Sequence, residues 1–206
     1  AESPLTGNVT ITAGGGIGSE INPIDLNLKH DGVLWADAEG DIFMSEVDGN
    51  LTIGRIESAL GNVVLSVEGS ILDDNELSAG NPAVDILGRN ITLTAINGSI
   101  GLLNDAIDIN SSYSLYGTFT SYSALDTYIR ETAGDLNLNR TETDDHIAYL
   151  HVTSGNLVNS TLSPVNITSG LAYLYASVNI GTAATPIIME VGNIESRSVN
   201  GSTWLN

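Results

Sequence analysis

The sequence contains no cysteine, so neither disulfide bonds nor cysteine metal ligands can contribute to its structure. This absence fits a secreted bacterial or archaeal surface protein. The sequence also lacks a basic-then-apolar signal segment, and none of its apolar runs is long enough to span a bilayer. We therefore expect no direct membrane insertion, and either a mature chain or a piece of a longer one.

Basic residues are scarce. Six Lys and Arg residues stand against 25 Asp and Glu residues, which gives a formal net charge of −19. Such a surface repels phosphate backbones and anionic lipid headgroups, so we expect neither nucleic acid nor a membrane surface as a partner. Metal cations or a high-salt environment are more compatible with this charge.

No long apolar stretch with a helical period occurs in the chain. Its 22 glycines and many Ser, Thr and Asn residues separate short apolar runs, a pattern typical of short strands joined by tight turns. The hydrophobic content of 42% is sufficient for a folded core. The sequence therefore predicts a folded, all-β protein.

One stretch of the chain occurs twice. The segment at 40–55 (GDIFMSEVDGNLTIGR) is answered by the segment at 125–140 (LDTYIRETAGDLNLNR). Self-similarity at a fixed spacing indicates a repeat architecture. The coinciding positions are Asp41/Asp126, Glu46/Glu131, Gly49/Gly134, Leu51/Leu136 and Arg55/Arg140.

A second block recurs three times. An alternating run, at 8–13, 90–95 and 171–176, leads each time to an Ile-Gly pair and then to Pro or Ala followed by Ile. The glycines of these pairs, Gly18, Gly101 and Gly181, recur at nearly the same interval as the first block. We therefore predict one repetitive β domain over 1–206, built from repeats of about 82 residues at about 7–88, 89–170 and, incompletely, 171–206.

Two architectures suit this pattern. A strand-turn unit of this size cannot bury its apolar face alone, whereas stacked coils bury a continuous core, which favours a parallel β-solenoid, or β-helix. An antiparallel β-sandwich is the alternative, because turn signals every eight to twelve residues or so also suit it. The long repeat with uneven spacing inside it favours the solenoid.

Several low-complexity motifs carry a resemblance to a known family. They include GDIF at 40–43, GNLTIG at 49–54, GNVVL at 61–65, NITLTA at 90–95 and GSIG at 98–101. From Gly7 to about Arg140 the chain resembles the repeat region of large bacterial surface exoproteins of the filamentous-haemagglutinin-like adhesin type. The resemblance implies a secreted β-solenoid stalk that serves adhesion at the extracellular cell surface.

No residue pattern predicts catalysis. None of the three histidines, His30, His146 and His151, has a metal-binding helix spacing, and no Gly-x-Ser-x-Gly motif occurs. A polysaccharide lyase on a β-helix would need clustered carboxylates and a Lys or Arg base. Because Arg55 and Arg140 occupy equivalent repeat positions, we interpret them as structural partners of Glu46 or Glu131. We expect a protein that is not an enzyme.

Calcium is the one cofactor that the sequence suggests. Two acidic turns concentrate the hard oxygen ligands that Ca²⁺ prefers, although neither matches an EF-hand or a calcium-binding nonapeptide repeat. The candidate ligands are Asp37, Glu39, Asp41, Asp73, Asp74 and Glu76.

Nine Asn-x-Ser/Thr triplets are candidate N-glycosylation sites, which are used only where the glycosylation machinery exists. The alternative is that turn Asn followed by strand Thr produces such triplets as a by-product. The candidate acceptors are Asn8, Asn50, Asn90, Asn97, Asn110, Asn139, Asn159, Asn166 and Asn200.

Three functions remain open from the sequence. The first is a non-catalytic extracellular stalk or fibre segment that spaces or presents an adhesive tip. The second is a filament subunit that assembles with copies of itself by strand addition, since solenoid ends expose unpaired backbone groups. The third is a carbohydrate-binding or lyase-type β-helix, in which tyrosines and tryptophans stack on cell-surface glycans.

Overall fold

The computed structural model describes residues 7–28, 32–74, 84–113 and 116–206, which contain 17 β-strands and no helix. The described part of the chain accordingly has no helix suited to crossing a membrane. The strands are β1 Val9–Ala13, β2 Ile24–Leu26, β3 Val33–Ala38, β4 Ile42–Glu46, β5 Leu51–Ser58, β6 Val63–Val67, β7 Ile71–Asp73, β8 Ile86–Leu87, β9 Ile91–Ala95, β10 Ile107–Asn110, β11 Phe119–Ser123, β12 Thr127–Glu131, β13 Leu136–Thr143, β14 Ile147–Val152, β15 Leu157–Asn159, β16 Ile167–Ala176 and β17 Met189–Ser198.

The strands form a parallel β-solenoid, which confirms the predicted fold class. Every strand pairing among the described residues is parallel, so the antiparallel sandwich was the wrong alternative. Strands β1, β3, β5, β7, β8, β10, β12, β14 and the second halves of β16 and β17 form one stack, called sheet 1. Strands β2, β4, β6, β9, β11, β13, β15 and the first halves of β16 and β17 form the other stack, called sheet 2.

The core lies between the two sheets because most strands alternate between inward and outward side chains. Strands β5 and β13 each interrupt the alternation once, where their register shifts. In β4, β6 and β9, for example, the first, third and fifth residues are buried and the others are half-buried. Equivalent inward residues of successive turns stack in columns, such as Ile42, Val63, Ile91, Phe119 and Leu138. All five are fully buried.

The structural unit is a single turn, so the predicted repeat of about 82 residues is not the unit that stacks. The chain makes about eight turns of about 22 residues each. These turns vary in length: Ala36 pairs with Ile56, whereas Ile56 pairs with Ile86, which lies much further along the chain. The predicted unit was too long because neighbouring turns differ in loop length. Their sequences therefore resemble one another less than those of turns further apart in the chain.

The long sequence period instead equals three and a half turns. From Met44 the chain passes through Leu65 and Leu93 to Ser121, three turns later on sheet 2. Ile129, the sequence equivalent of Met44, follows half a turn later on sheet 1. Each copy of the sequence repeat therefore places its strands on the sheet opposite to that of the preceding copy.

The three Ile-Gly pairs form the same corner, which shows that the sequence alignment was locally right. Gly18, Gly101 and Gly181 have φ values of 67°, 67° and 64°. In each corner the isoleucine carbonyl accepts a hydrogen bond from the backbone N–H of an aromatic residue one turn later, at 2.7–2.8 Å. These donors are Phe43, Tyr128 and Trp204. The corner thus depends on a left-handed glycine that packs against the next turn.

Replacing Gly101 with Ala is expected to destabilise the protein by about 1–3 kcal/mol from backbone strain, with a steric cost in addition. The added Cβ would lie 2.6 Å from the carbonyl oxygen of Tyr128. Gly49 is the matched control because its φ is 97° but its Cβ would meet nothing within 4 Å. Urea unfolding should show a larger loss for Gly101→Ala than for Gly49→Ala. Equal losses would contradict the close corner packing.

Candidate functional site: the outward face of sheet 1

The outward face of sheet 1 carries most of the chemically versatile side chains on the strands. One column on this side of the sheet runs along the solenoid through Thr10, Trp35, Arg55, Asp85, Asp108, Arg130, His151, Tyr175 and Arg197. Two members of the column, Asp85 and Asp108, are buried. The corresponding column of sheet 2 passes through Ser45, Ser66, Thr94, Tyr122, Glu142 and Thr168. The two sheets therefore share their inward pattern and differ in what they present to solvent.

Five aromatic side chains gather at one end of this face. Tyr128, Tyr149 and Tyr173 are register partners on successive turns, and His151 and Tyr175 form a second column beside them. Their ring centroids are 5.7–6.4 Å apart, with interplanar angles of 40–79°. These distances are typical of interacting aromatic pairs. We call these five residues the aromatic stack.

Carboxylates at its edges fix the orientation of two rings of the aromatic stack. The hydroxyl of Tyr128 donates to Asp126 at 3.2 Å, and that of Tyr175 donates to Glu195 at 2.7 Å. Burial raises the pKa of Tyr128 to about 12, and the hydrogen bond to Glu195 raises the pKa of Tyr175 to about 12. Both hydroxyls therefore stay protonated at neutral pH, and neither ring carries charge.

An ion pair borders the aromatic stack. The guanidinium of Arg130 forms a two-pronged pair with the carboxylate of Asp108 on the preceding turn. Burial raises the pKa of Asp108, whereas burial and the nearby charge of Arg130 lower the pKa of His151. Arg130 and Asp108 therefore offset each other's charge, and His151 is held toward its neutral form.

The equivalent positions in the preceding copies of the repeat serve as an internal comparison for the aromatic stack. The residues equivalent to Tyr128, Tyr149, His151, Tyr173 and Tyr175 are Phe43, Val64, Ser66, Thr92 and Thr94, on the outward face of sheet 2. The inward residues between them are aliphatic on both sheets: Leu65 matches Leu150, and Leu93 matches Leu174. The fold therefore builds the same sheet without four of the five aromatic residues.

A cleft of about 380 Å³ lies at the other end of the same face. Trp35, Arg55, Glu57 and Asp37 line it, together with residues of β1. Arg55 pairs with Glu57 at 2.7 Å, and hydrogen bonding to Arg55 lowers the pKa of Glu57. The cleft offers one aromatic surface and two carboxylates, with its single cation already paired.

The partners predicted for the two repeated arginines, Glu46 and Glu131, were wrong. Arg55 and Arg140 pair with Glu57 and Glu142, which follow them on their own strands, at 2.7 and 2.8 Å. In a strand, residues i and i+2 point to the same face, whereas Glu46 and Glu131 point inward. The structural role expected for the two arginines is confirmed, but its geometry is local.

The repeated glutamates hold the backbone of a neighbouring turn. Glu46 accepts a hydrogen bond from Leu28 N at 3.0 Å, and Glu131 accepts bonds from the N–H and hydroxyl of Ser111 at 3.1 and 2.6 Å. Glu131 is fully buried, and burial raises its pKa to about 8. These carboxyl groups fasten the loops that follow β2 and β10.

Replacing Glu131 with Ala is expected to cost about 1–3 kcal/mol for each buried donor left without a partner. Ser111 supplies two such donors. Glu131→Gln keeps an acceptor oxygen and should recover much of this loss. Chemical unfolding of both variants checks the prediction, and equal stability of the Ala variant and the parent would contradict the fastening role.

The predicted calcium ligands do not form a metal-binding group. Among the described residues, no three His, Asp or Glu side chains gather in such an arrangement, and Glu76 lies outside the described ranges. Asp37 and Glu39 are exposed, while Asp41 accepts two hydrogen bonds from Asn62 at 2.7 and 3.0 Å. Burial raises the pKa of Asp73 to about 6. Calcium binding therefore stays a prediction from the sequence.

The predicted glycosylation acceptors fall into three groups by burial. Asn159 and Asn166 are buried, and their side-chain amides donate hydrogen bonds within the protein, so a glycan there is incompatible with the folded corner. Asn90, Asn110 and Asn139 are half-buried. The exposed candidates are Asn8, Asn50, Asn97 and Asn200.

Comparison with known proteins assigns no family. No family model, no curated protein and no solved structure matches the chain significantly.

Proposed function

We propose that the chain is a segment of a non-catalytic extracellular surface module, a rigid β-solenoid that serves as a stalk for adhesion. The observation that carries the proposal is that, over the residues the structure describes, the solenoid is open at both ends. Among the described residues, β1 pairs only with β3, and β17 pairs only with β16. Apolar side chains at both ends pack against the core but remain partly exposed: Val9, Ile11 and Leu26 at one end, Met189, Val191 and Leu205 at the other.

A tandem fusion of two copies tests the stalk proposal. Further turns can add at about 4.8 Å each, so the fusion should form one rod of about twice the length. Because one pair of open ends becomes buried, the fusion should also melt at a higher temperature than the single copy. Small-angle X-ray scattering that shows two jointed bodies, with an unchanged melting temperature, would contradict the proposal.

The surface location has its own test. Antibodies raised against the purified chain should label intact, unpermeabilised cells of the source organism. Labelling that requires permeabilisation would contradict an extracellular location.

A non-catalytic function is supported by the state of the arginines near the carboxylates. Arg55, Arg130 and Arg140 are each held in an ion pair, so none of these three presents a free base of the kind a lyase needs. Sensitive assays for degradation of polysaccharides should therefore detect no activity.

The open ends also support a second candidate, a filament subunit that joins copies of itself by strand addition. On the last strand Glu190 and Glu195 outnumber Arg197, and Asp25 lies in the first turn, so end-to-end contact brings a net excess of like charges together. Assembly should therefore increase with salt concentration. Sedimentation that shows monomers at all salt concentrations would favour the stalk.

A further inference from the structure

We infer that the aromatic stack is a binding surface for a linear, uncharged polysaccharide. The inference deepens the proposed function, on which it rests, by giving the adhesion module a ligand class. The observation behind it is a contrast between the two sheets. Sheet 1 carries a periodic row of aromatic rings, and four of the five equivalent positions on sheet 2 lack an aromatic residue.

The stack is not required by the fold. Tyr149, Tyr173 and Tyr175 point outward, and the turns beneath them are closed by Leu150 and Leu174, which are fully buried. At the equivalent positions on sheet 2 the preceding copies have Val64, Ser66, Thr92 and Thr94. Small residues suffice at these positions, so a structural demand does not account for four additional aromatic rings.

The geometry of the stack suits a chain of sugar rings. One tyrosine of the main column occurs on each of three consecutive turns, and the ring centroids of neighbours are 6.1 and 6.4 Å apart. Tyr128 is buried at the inner end of the row, and Tyr149 and Tyr173 are half-buried. The rings therefore form a continuous row along the solenoid axis, with two of their hydroxyls fixed by Asp126 and Glu195. Aromatic side chains with an apolar body and an anchored polar tip present a preorganised surface to the apolar faces of pyranose rings.

The charge of the protein selects among polysaccharides. The net charge is −19, and the carboxylates of Asp126 and Glu195 border the stack. Of the two neighbouring cations, Arg130 is paired with Asp108, and Arg197 lies beside Tyr175 on the last strand. A uronic acid or sulfated chain would be repelled by the overall negative charge, whereas an uncharged chain meets no such repulsion. The same argument disfavours single-stranded nucleic acid, which also stacks on aromatic rows.

The test exchanges residues between the two sheets. A swapped variant carries Tyr149→Val, His151→Ser, Tyr173→Thr and Tyr175→Thr, the residues found at the equivalent positions on sheet 2. Affinity gel electrophoresis with soluble neutral β-glucans, mannans and chitin oligosaccharides should retard the parent with at least one of them. The swapped variant should bind at least tenfold more weakly, with its circular dichroism and melting temperature preserved enough to show that it folds.

Two further variants make the result specific. Tyr122→Ala removes an outward tyrosine of sheet 2, which is 38% exposed and has no aromatic register partner, and should bind like the parent. Grafting Val64→Tyr, Ser66→His, Thr92→Tyr and Thr94→Tyr into the swapped variant should restore binding on sheet 2.

The inference is overturned if none of the neutral glycans retards the parent, or if the parent and the swapped variant are retarded equally. Binding only to polygalacturonate, or only to proline-rich peptides, would overturn it as well. Glycan binding is measured on the unfused chain, whereas rod formation is measured on the tandem fusion. A failure of one test is therefore distinguishable from a failure of the other. A chain that forms rods but binds no glycan would remain a stalk without this ligand.

Discussion

Replacing Asp85 with Asn is expected to make the protein more stable at neutral and alkaline pH and to flatten its pH dependence. Burial raises the pKa of Asp85 to about 8, whereas an unfolded Asp titrates near pH 4. Below about pH 4 both states hold the proton. Between about pH 4 and 8 only the unfolded state loses it, so folding stability falls by about 1.4 kcal/mol per pH unit and then levels off.

The second copy of the repeat already contains this substitution, at Asn166. Asp85 Oδ2 accepts a hydrogen bond from Asp108 N at 2.7 Å, and Asn166 Oδ1 accepts one from Ile188 N at 3.0 Å. The backbone bonds also match, since the N–H of Asp85 donates to Asp108 O and that of Asn166 donates to Ile188 O. An amide therefore performs the same task in a fully buried corner.

The measurement is urea unfolding of parent and variant at several pH values between 5.5 and 9. The difference in stability should grow as pH rises to about 8. The reciprocal variant, Asn166→Asp, should acquire the pH dependence and lose stability at pH 7. Suppose that parent and Asp85→Asn show the same dependence of the free energy of unfolding on pH. Asp85 is then ionised in the folded protein, and the corners of Asp85 and Asn166 are not equivalent.

Truncating Phe119 to Ala is expected to cost about 3–5 kcal/mol. Phe119 heads the set of largest fully buried side chains and lies in the inward column between Ile91 and Leu138. The neighbours belong to stacked strands that cannot collapse into the space without breaking their hydrogen bonds. The cost should therefore lie at the upper end of the range for core truncations.

Two variants complete the Phe119 experiment. Phe119→Leu matches the aliphatic residues above and below it and should recover most of the loss. Tyr122→Ala, on the same strand but facing outward, should change stability far less. A loss for Phe119→Ala no larger than that for Tyr122→Ala would place Phe119 outside a closed core.

Much of the fold was predictable because the solenoid repeats its local chemistry. The alternating run at 90–95 became β9, and the Ile-Gly pairs became three equivalent corners with left-handed glycines. Only glycine adopts that conformation without strain, so the corner leaves a mark in the sequence. Which sheet a copy of the repeat occupies leaves no such mark in the sequence. It depends on the lengths of the loops within the repeat of about 82 residues.

The candidate site was less predictable for a related reason. His151 and Tyr175 are distant in the chain but are register partners in the sheet. The sequence showed many tyrosines in the last third of the chain without showing that they share one face. Conversely, the acidic turns suggested calcium, although Asp41 is engaged by Asn62 of the next turn, a contact that depends on the register.

The most direct test of the account is cysteine crosslinking, which the absence of native cysteine makes clean. Ser66 and Thr94 are register partners on sheet 2, whereas His151, the sequence equivalent of Ser66, lies on sheet 1. Cysteines at 66 and 94 should form a disulfide readily, since adjacent strands lie within bonding range, and cysteines at 66 and 151 should not. Crosslinking of 66 to 151, or none between 66 and 94, would contradict the stacked turns and the half-turn offset between the copies.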